Sequence, residues 1–539
     1  MATDDFFRSR LDAMIDRQHP LAVLTTHMPW RDIEAALAPV FEHKDRSGKV
    51  VDGADLFGPT AELVGVGVSA RGRRRLPIRL MVALLYLKHA FNLSDEELVE
   101  RWSENVYWQF FSGMDYFEPR LPCDATQIGR FRRLLGEAGV EQLLKTTIET
   151  AVSMKVIKKI DFERVIVDTT VQEKAIAHPV DSRLLEKSAP QGCQCRQAIG
   201  HGAEADVCQG RQAASPQGRY AEPGRTTVLR TVCAWRGAGP LAQRGLQGHA
   251  KQFKRLRRTV KRQRTILGAL MRDAQRGLNR ILQGDSSGLA PGQEPTAWAI
   301  TALNMWLERA ERIRTQQRHD KHKLYALHAP EVECIGKGKA RKPYEFGVKV
   351  SLAITHKNGL MVGARSFPGN PYDGHTLAEQ LEQTNTLLQD IGTKPTTAVV
   401  DLGFRGVDED VAPVQLIHRG KLKSLDAQQR KWLKRRQAIE PAIGHAKLDH
   451  RMDRCWLQGA TGDALHAVLC AAGFNIRWLL RAIARKGLAA LLLAFANWTL
   501  WVQRIGRAAR FDDAAAGDQV RRFDWRQWTH SSPDGVAAN

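Results

Sequence analysis

The stretch RVIVDTTVQ, residues 164–172, sets one acid inside a β-branched run. Val165, Ile166, Val167 and Val171 suit a pleated, buried strand, whereas branched Cβ atoms at this density lose rotamer freedom in a helix. A buried carboxylate is costly unless it is paired or holds a cation. The reading therefore places Asp168 at or near the C-terminal end of a buried strand, where the chain meets a loop. A second run, TTAVVDLGFRG at 396–406, is built the same way and ends in Asp401 and a glycine-containing loop. Two buried like charges repel unless a cation is shared. Either aspartate alone reads as an ordinary strand-end turn residue.

Between these runs lies YEFGVKVSLAITHKNGLMVGARSF, residues 344–367. Its two β-rich halves flank Lys357-Asn358-Gly359, and Asn-Gly is a strong hairpin signal. A helical pattern follows in DGHTLAEQLEQTNTLLQDIG. A hairpin beside strands separated by helices predicts a mixed sheet flanked by helices, an α/β (mixed α+β) fold.

A third acid stands in RRQAIEPAIGHAKLDHRM, residues 435–452. Glu440 precedes Pro441 in an otherwise basic, helical stretch, and proline penalises a helix interior and biases the residue before it. Two geometries are open. Pro441 starts a helix with Glu440 just before it, or it kinks a continuous helix so that the acid turns toward the aspartates. In helical geometry Arg436, Glu440 and Lys447 can share a face, although structural salt bridges use the same spacing. Three acids in basic surroundings favour a metal site. Carboxylate oxygens suit two Mg²⁺ ions, or Mn²⁺, of the kind that assist phosphoryl transfer.

The chain of 539 residues carries 80 Lys and Arg against 58 Asp and Glu, a net charge of +22. That excess is clustered, which points to nucleic acid as partner ahead of a merely basic surface. One such cluster opens HAKQFKRLRRTVKRQRTILGALM at His249. Lys251, Lys254, Arg255, Arg257, Arg258, Lys261 and Arg262 alternate there with an apolar stripe of Phe253, Leu256, Val260 and Leu267, as on an amphipathic helix. A second helix is expected over about 297–318.

The first 155 residues read as helical. Pro77 opens one helix, Ser94 and Glu97 form a capping box, and Asp124 and Gln127 stand in the same relation. Short capped helices with Arg130, Arg132 and Arg133 on the last resemble a helix-turn-helix module, and an ordinary helical bundle fits equally. The knot RGRRR at 71–75 reads as a phosphate contact or a solvated loop. The N-terminus lacks a secretory pattern. The apolar stretch at 487–502 is shorter than the roughly 20 residues a membrane span needs. The expectation is therefore a cytoplasmic, nucleoid-associated protein without a membrane partner. Eight cysteines show no zinc-binding spacing and read as free thiols. Residues 187–248 have neither helical nor strand period. They are either a frame disturbance, since 201–219 read in the adjacent frame can yield a basic helix, or a genuine insertion. A cap is expected at Gly487, ending a helix over 463–487.

Three blocks, VDTTVQEKAIAHPVDSRLLE, VVDLGFRG and RRQAIEPAIGHAKLDHRM, resemble the catalytic blocks of the DDE transposases of bacterial insertion sequences, of the IS-five type. The resemblance runs from about residue 70 to 486, apart from 187–248. The family signature Y-x2-R-x3-E-x6-K is met by Arg436, Glu440 and Lys447, while Leu433 stands in place of the tyrosine, next to Trp432. The resemblance implies an RNase H-like core, with Asp168, Asp401 and Glu440 as catalytic metal ligands. Arg435, Arg436 and Lys447 would hold DNA phosphates. It implies cleavage at the element's terminal inverted repeats, joining of the freed 3′ hydroxyls to target DNA, and a homo-oligomer when DNA-bound. The layout expected is a helical N-terminal domain (1–155), a first core piece (156–186), an insertion (187–330), the remaining core (331–486) and an atypical tail (487–539). A nuclease of the same fold that cuts without joining, or a catalytically impaired DNA-binding remnant, are the alternatives.

Overall fold

The computed structural model describes residues 9–41, 76–188, 250–283, 296–317, 319–336, 342–408, 411, 413–421 and 423–512. The RGRRR knot, nearly all of the 187–248 stretch and the end of the tail lie outside these residues. The chain divides into two compact units, Met1–Leu480 and Arg481–Asn539.

The first unit opens with helices α1 (Leu11–Met14), α2 (Pro20–His27), α3 (Trp30–Leu37), α4 (Ile78–Ala90), α5 (Asp95–Glu104), α6 (Val106–Phe111) and α7 (Ala125–Ser153). Pro77 is the N-cap of α4, which is buried on nearly every side. Ser94 and Glu97 close the expected capping box on α5. Asp124 caps α7 by accepting from the Thr126 amide. This last helix runs far beyond the expected segment, with a break at Gly136, whose φ of 62° and ψ of −170° no helix contains. Arg132 is buried with its guanidinium 3.9 Å from Asp95, so it braces the bundle instead of facing solvent. The link between α6 and α7 covers 112–124, much longer than the 3–4-residue turn of a helix-turn-helix.

Six strands make one sheet: β1 (Arg164–Glu173), β2 (Glu333–Gly336), β3 (Tyr344–Thr355), β4 (Met361–Phe367), β5 (Thr397–Val399) and β6 (Gln415–Ile417). β3 pairs antiparallel with β1 along one edge, while β2 and β4 take successive stretches of its other edge. β1 continues into β5 and β6, all parallel. The β3–β4 hairpin turns at Asn358-Gly359 as its sequence demands, with Gly359 at φ +69°.

Asp168 is not the end of β1 but its middle, because Thr169–Glu173 keep pairing with β3. On the other edge the picture differs. β5 accompanies β1 only from Arg164 to Ile166. Asp168 lies two residues past the last parallel rung on β1, and Asp401 lies two residues past it on β5. Both acids thus stand where two parallel strands part at their carboxyl ends, the place where open sheets form crevices.

Helices α8 (Ala250–Leu282) and α9 (Ala297–Thr315) form a hairpin with its own core. Leu267, Met271, Ala274 and Leu278 of α8 meet Leu303, Trp306, Ala310 and Ile313 of α9. Helix α10 (Leu377–Leu388) covers the hairpin strands, and Gln383 bonds both the amide and the carbonyl of Ala364 in β4. Then come α11 (Ala427–Arg435), one 3₁₀ turn (Arg436–Ala438) and α12 (Ile439–Asp449), followed by α13 (Gly459–Asp512). Contrary to expectation α13 does not stop at Gly487. A single glycine costs a helix only about 1 kcal/mol, too little to end so long a run.

Buried polar clamps fix the early part of α13 to the sheet. Asn475 bonds both the amide and carbonyl of Met361 and the hydroxyl of Thr147. Lys174, at the end of β1, is buried against Asp463 (2.7 Å) and Glu331 (2.8 Å). The segment Gly459–Gly487 is long and apolar enough to cross a membrane, yet 72% of its apolar window is buried within the protein, as in a core helix.

Candidate active site

Asp168 points into the crevice between β1 and the departing β5. Its Oδ1 accepts from the Thr169 amide at 2.8 Å, and its Oδ2 accepts from Arg436 Nη1 at 3.2 Å. Burial pushes its carboxyl up to about 6, the nearby Asp401 adds to the rise, and the Arg436 guanidinium opposes both. Asp401 caps the one-turn 3₁₀ helix Leu402–Phe404, with Oδ1 accepting from the Gly403 amide at 2.6 Å. A Cβ on Gly403 would stand 2.9 Å from Asp401 Oδ1 and 2.9 Å from Asp373 Oδ2, so the two carboxylates crowd its open face.

Glu440 is the second residue of α12, and its Oε1 lies 3.9 Å from Arg436 Nη2. Pro441 falls in the first turn of α12, where backbone N–H groups need no intrahelical partner. The helical run is therefore jointed by a 3₁₀ turn, and Glu440 lies within a helix on the same face as Arg436. Arg436 bridges Asp168 and Glu440, and its side chain is only 16% exposed, against 66% for Glu440.

The other basic residues of this block sit elsewhere. Lys447 reaches Glu345 at 3.6 Å. Glu345 lies beyond the rung Glu173↔Gly347, whereas Asp168 faces Leu352. Lys447 is thus directed toward the far end of β1, some five rungs, or roughly 17 Å, from Asp168. Arg435 donates to the carbonyls of His356 and Lys357 and so anchors α11 to the hairpin turn. Trp432, beside the position where the signature has tyrosine, is stacked by Arg164 at 3.4 Å. On α8, Lys254, Arg257, Arg258, Lys261 and Arg262 are exposed. The side chains of Lys251 and Arg255 lie outside the described residues.

Arg436 links the half-buried Asp168 to Glu440, and Asp401 is near enough to raise the Asp168 carboxyl, but the three acids do not form a group with ligand atoms within 4.8 Å of one another. Hard oxygen donors of this kind fit a divalent ion such as Mg²⁺. Among the described residues, the ligand atoms of His89, His466 and Cys470 do lie within 4.8 Å of one another, buried between α4 and α13. Burial and the charges of Lys88, Arg132 and Arg451 depress both imidazoles, His466 to about 3. His466 Nε2 also donates to the Arg451 carbonyl at 2.9 Å. Those cations make this pocket a poor place for another positive charge.

Two residues of the crevice escaped the sequence reading. Asp373 and Lys349 form an ion pair of 2.9 Å beside Thr169. The only sequence signal was an aspartate in the aperiodic stretch GNPYDGH (369–375).

A family model described as "Transposase domain (DUF772)" matches residues 9–134. The chain carries a transposase domain. A Rhizobium meliloti protein described as "Uncharacterized protein ORF8 in nfe locus" is 41% identical over 201 residues, which is 37% of this chain and 83% of that protein. The chain belongs to the same family as that protein. No solved structure matches it. The transposase domain coincides with helices α1 to α6 and the first part of α7, so the three acids lie outside the matched range.

Proposed function

We propose that the protein is a DDE-type transposase, with an RNase H-like core, that cleaves DNA at the ends of an insertion sequence of the IS-five type and joins those ends to target DNA. The observation that carries this reading is the placement of Asp168 and Asp401 at matching positions beyond the last parallel rung of β1 and β5, with Glu440 linked to Asp168 through Arg436. An antiparallel hairpin continued by parallel strands, with acids where those strands part, supports the core assignment.

Asp168, Asp401 and Glu440 would hold two Mg²⁺ ions, or Mn²⁺. Bound there, the ions stabilise charge on the attacking and leaving oxygens of an in-line displacement. Arg436 offsets the charge of the acids and stands where a DNA phosphate would approach. Arg435, tied to the hairpin, orients α11 so that its neighbour Arg436 faces the crevice. Lys447 lies farther along β1, in reach of a phosphate other than the reacting one. The exposed cations of α8, with Lys251 and Arg255 in the same run, supply a non-specific grip on duplex DNA. The double-stranded partners are the terminal inverted repeats and the target. The working form is a homo-oligomer on DNA, in the cytoplasm at the nucleoid.

The test is a strand-transfer assay with the full chain, Mg²⁺ and labelled DNA carrying the repeats that flank the gene. Joined product is expected. Cutting without joining would assign a nuclease, and binding without cutting an impaired remnant.

A further inference from the structure

We infer that Asp373 is a positioning residue that sets the spacing of Asp168 and Asp401, through the Thr169 hydroxyl on one side and the Gly403 loop on the other. The inference rests on the metal-site reading of those two acids.

Asp373 opens the 3₁₀ turn Asp373–Thr376 before α10. Its Oδ1 accepts from Thr169 Oγ1 at 3.0 Å and from Lys349 Nζ at 2.9 Å. Lys349 also donates to the Pro371 carbonyl at 2.6 Å, which ties β3 to the segment holding Asp373. Oδ2 points the other way, toward the bare face of Gly403, whose amide donates to Asp401. One carboxylate thus abuts the residue after Asp168 and the residue that orients Asp401.

The surrounding backbone reinforces this. Tyr372 Oη donates to the Arg405 carbonyl at 2.7 Å, and His375 Nδ1 lies 2.8 Å from Asp408 Oδ1. A Cβ on Gly374 would stand 2.5 Å from the Gly406 carbonyl oxygen, so the two loops lie backbone against backbone. The segment 369–375 therefore forms a brace across the loop that carries Asp401. The spacing of two carboxylates decides whether they serve the same ions. Shell residues of this type typically change metal affinity by about 10–100-fold when altered.

The experiment measures Mn²⁺ binding to the full chain without DNA, by calorimetry and by the electron paramagnetic resonance of the bound ion. The wild type is compared with Asp373→Asn, Thr169→Val and, as the reference for a missing ligand, Asp168→Asn. Asp373→Asn is expected to weaken binding about tenfold or more. Thr169→Val, which removes only the hydroxyl, is expected to weaken it in the same direction and to alter the spectrum of the remaining bound ion. Wild-type affinity and spectrum in Thr169→Val would overturn the inference. If Asp373→Asn alone weakened binding, Asp373 would be a direct ligand and the positioning role would fall. Should Asp373→Asn not fold, Thr169→Val decides by itself. A wild-type chain that binds no Mn²⁺ would overturn the metal-site reading first, and the positioning role with it.

Discussion

Asp168 is held in a state that favours its protonated form. Its carboxyl titrates near 6 in the fold, against about 3.9 for an unfolded chain. Below pH ~4 both states are protonated and the group is neutral in its effect. As pH rises through this interval the unfolded chain ionises first, and above about 6 the fold carries a penalty of roughly 3 kcal/mol, from about two pKa units at 1.36 kcal/mol each. Thermal unfolding without metal should therefore show Asp168→Asn stabilised by about 1–3 kcal/mol at pH 7.5 and unchanged at pH 4. An equal shift at both values would place the cost elsewhere. The acids were legible where their neighbours in sequence define them: Asp401 after a short valine run, Glu440 four residues from Arg436. Asp373 was not, because the hydroxyl that engages it belongs to Thr169, 204 residues away.

At the scale of elements, the sheet is locked to α13 by groups that water would otherwise hold. Lys174 is buried with Asp463 and Glu331, and the two acids draw its pKa upward against the burial that lowers it. Removing one partner of a buried pair leaves the other charge stranded, at a cost of about 3–5 kcal/mol. Lys174→Met should accordingly lower stability by about that amount in denaturant titration, whereas Arg276→Met, on an exposed pair with Asp273, should change it by less than about 1 kcal/mol. The β3–β4 hairpin could be read in advance because its turn chemistry is local. β2 and β6 could not. They have four and three residues, and pairing with longer strands defines them, not any alternation of their own. The strand pairing also corrected the placement of Asp168: β1 is long because β3 is long, while the end that matters is the end of β5.

Across the whole molecule, a net charge of +22 is consistent with a polyanionic partner, and α8 carries a row of exposed cations. Removing one cation that neutralises a phosphate should reduce the slope of log K against log salt by about 0.9. Changing Lys254, Arg258 and Arg262 to glutamine should then flatten the salt dependence of DNA binding by up to about 3 units of slope, measured by fluorescence anisotropy. An unchanged slope would move the DNA to another face. The transposase-domain match to residues 9–134 falls on the helical bundle at one end of the sequence, and the three acids of the crevice lie beyond it.

The proposed function requires Asp168, Asp401 and Glu440 to act as one metal-dependent site on DNA. Its most direct test is cleavage of duplex DNA carrying the repeats that flank the gene, with and without Mg²⁺, by the wild type and by Asp168→Asn, Asp401→Asn and Glu440→Gln. Cutting is expected from the wild type only when Mg²⁺ or Mn²⁺ is present and from none of the three variants, with undiminished DNA binding by all four proteins. Cleavage retained by any single variant, or by the wild type in chelator, would contradict the proposed function.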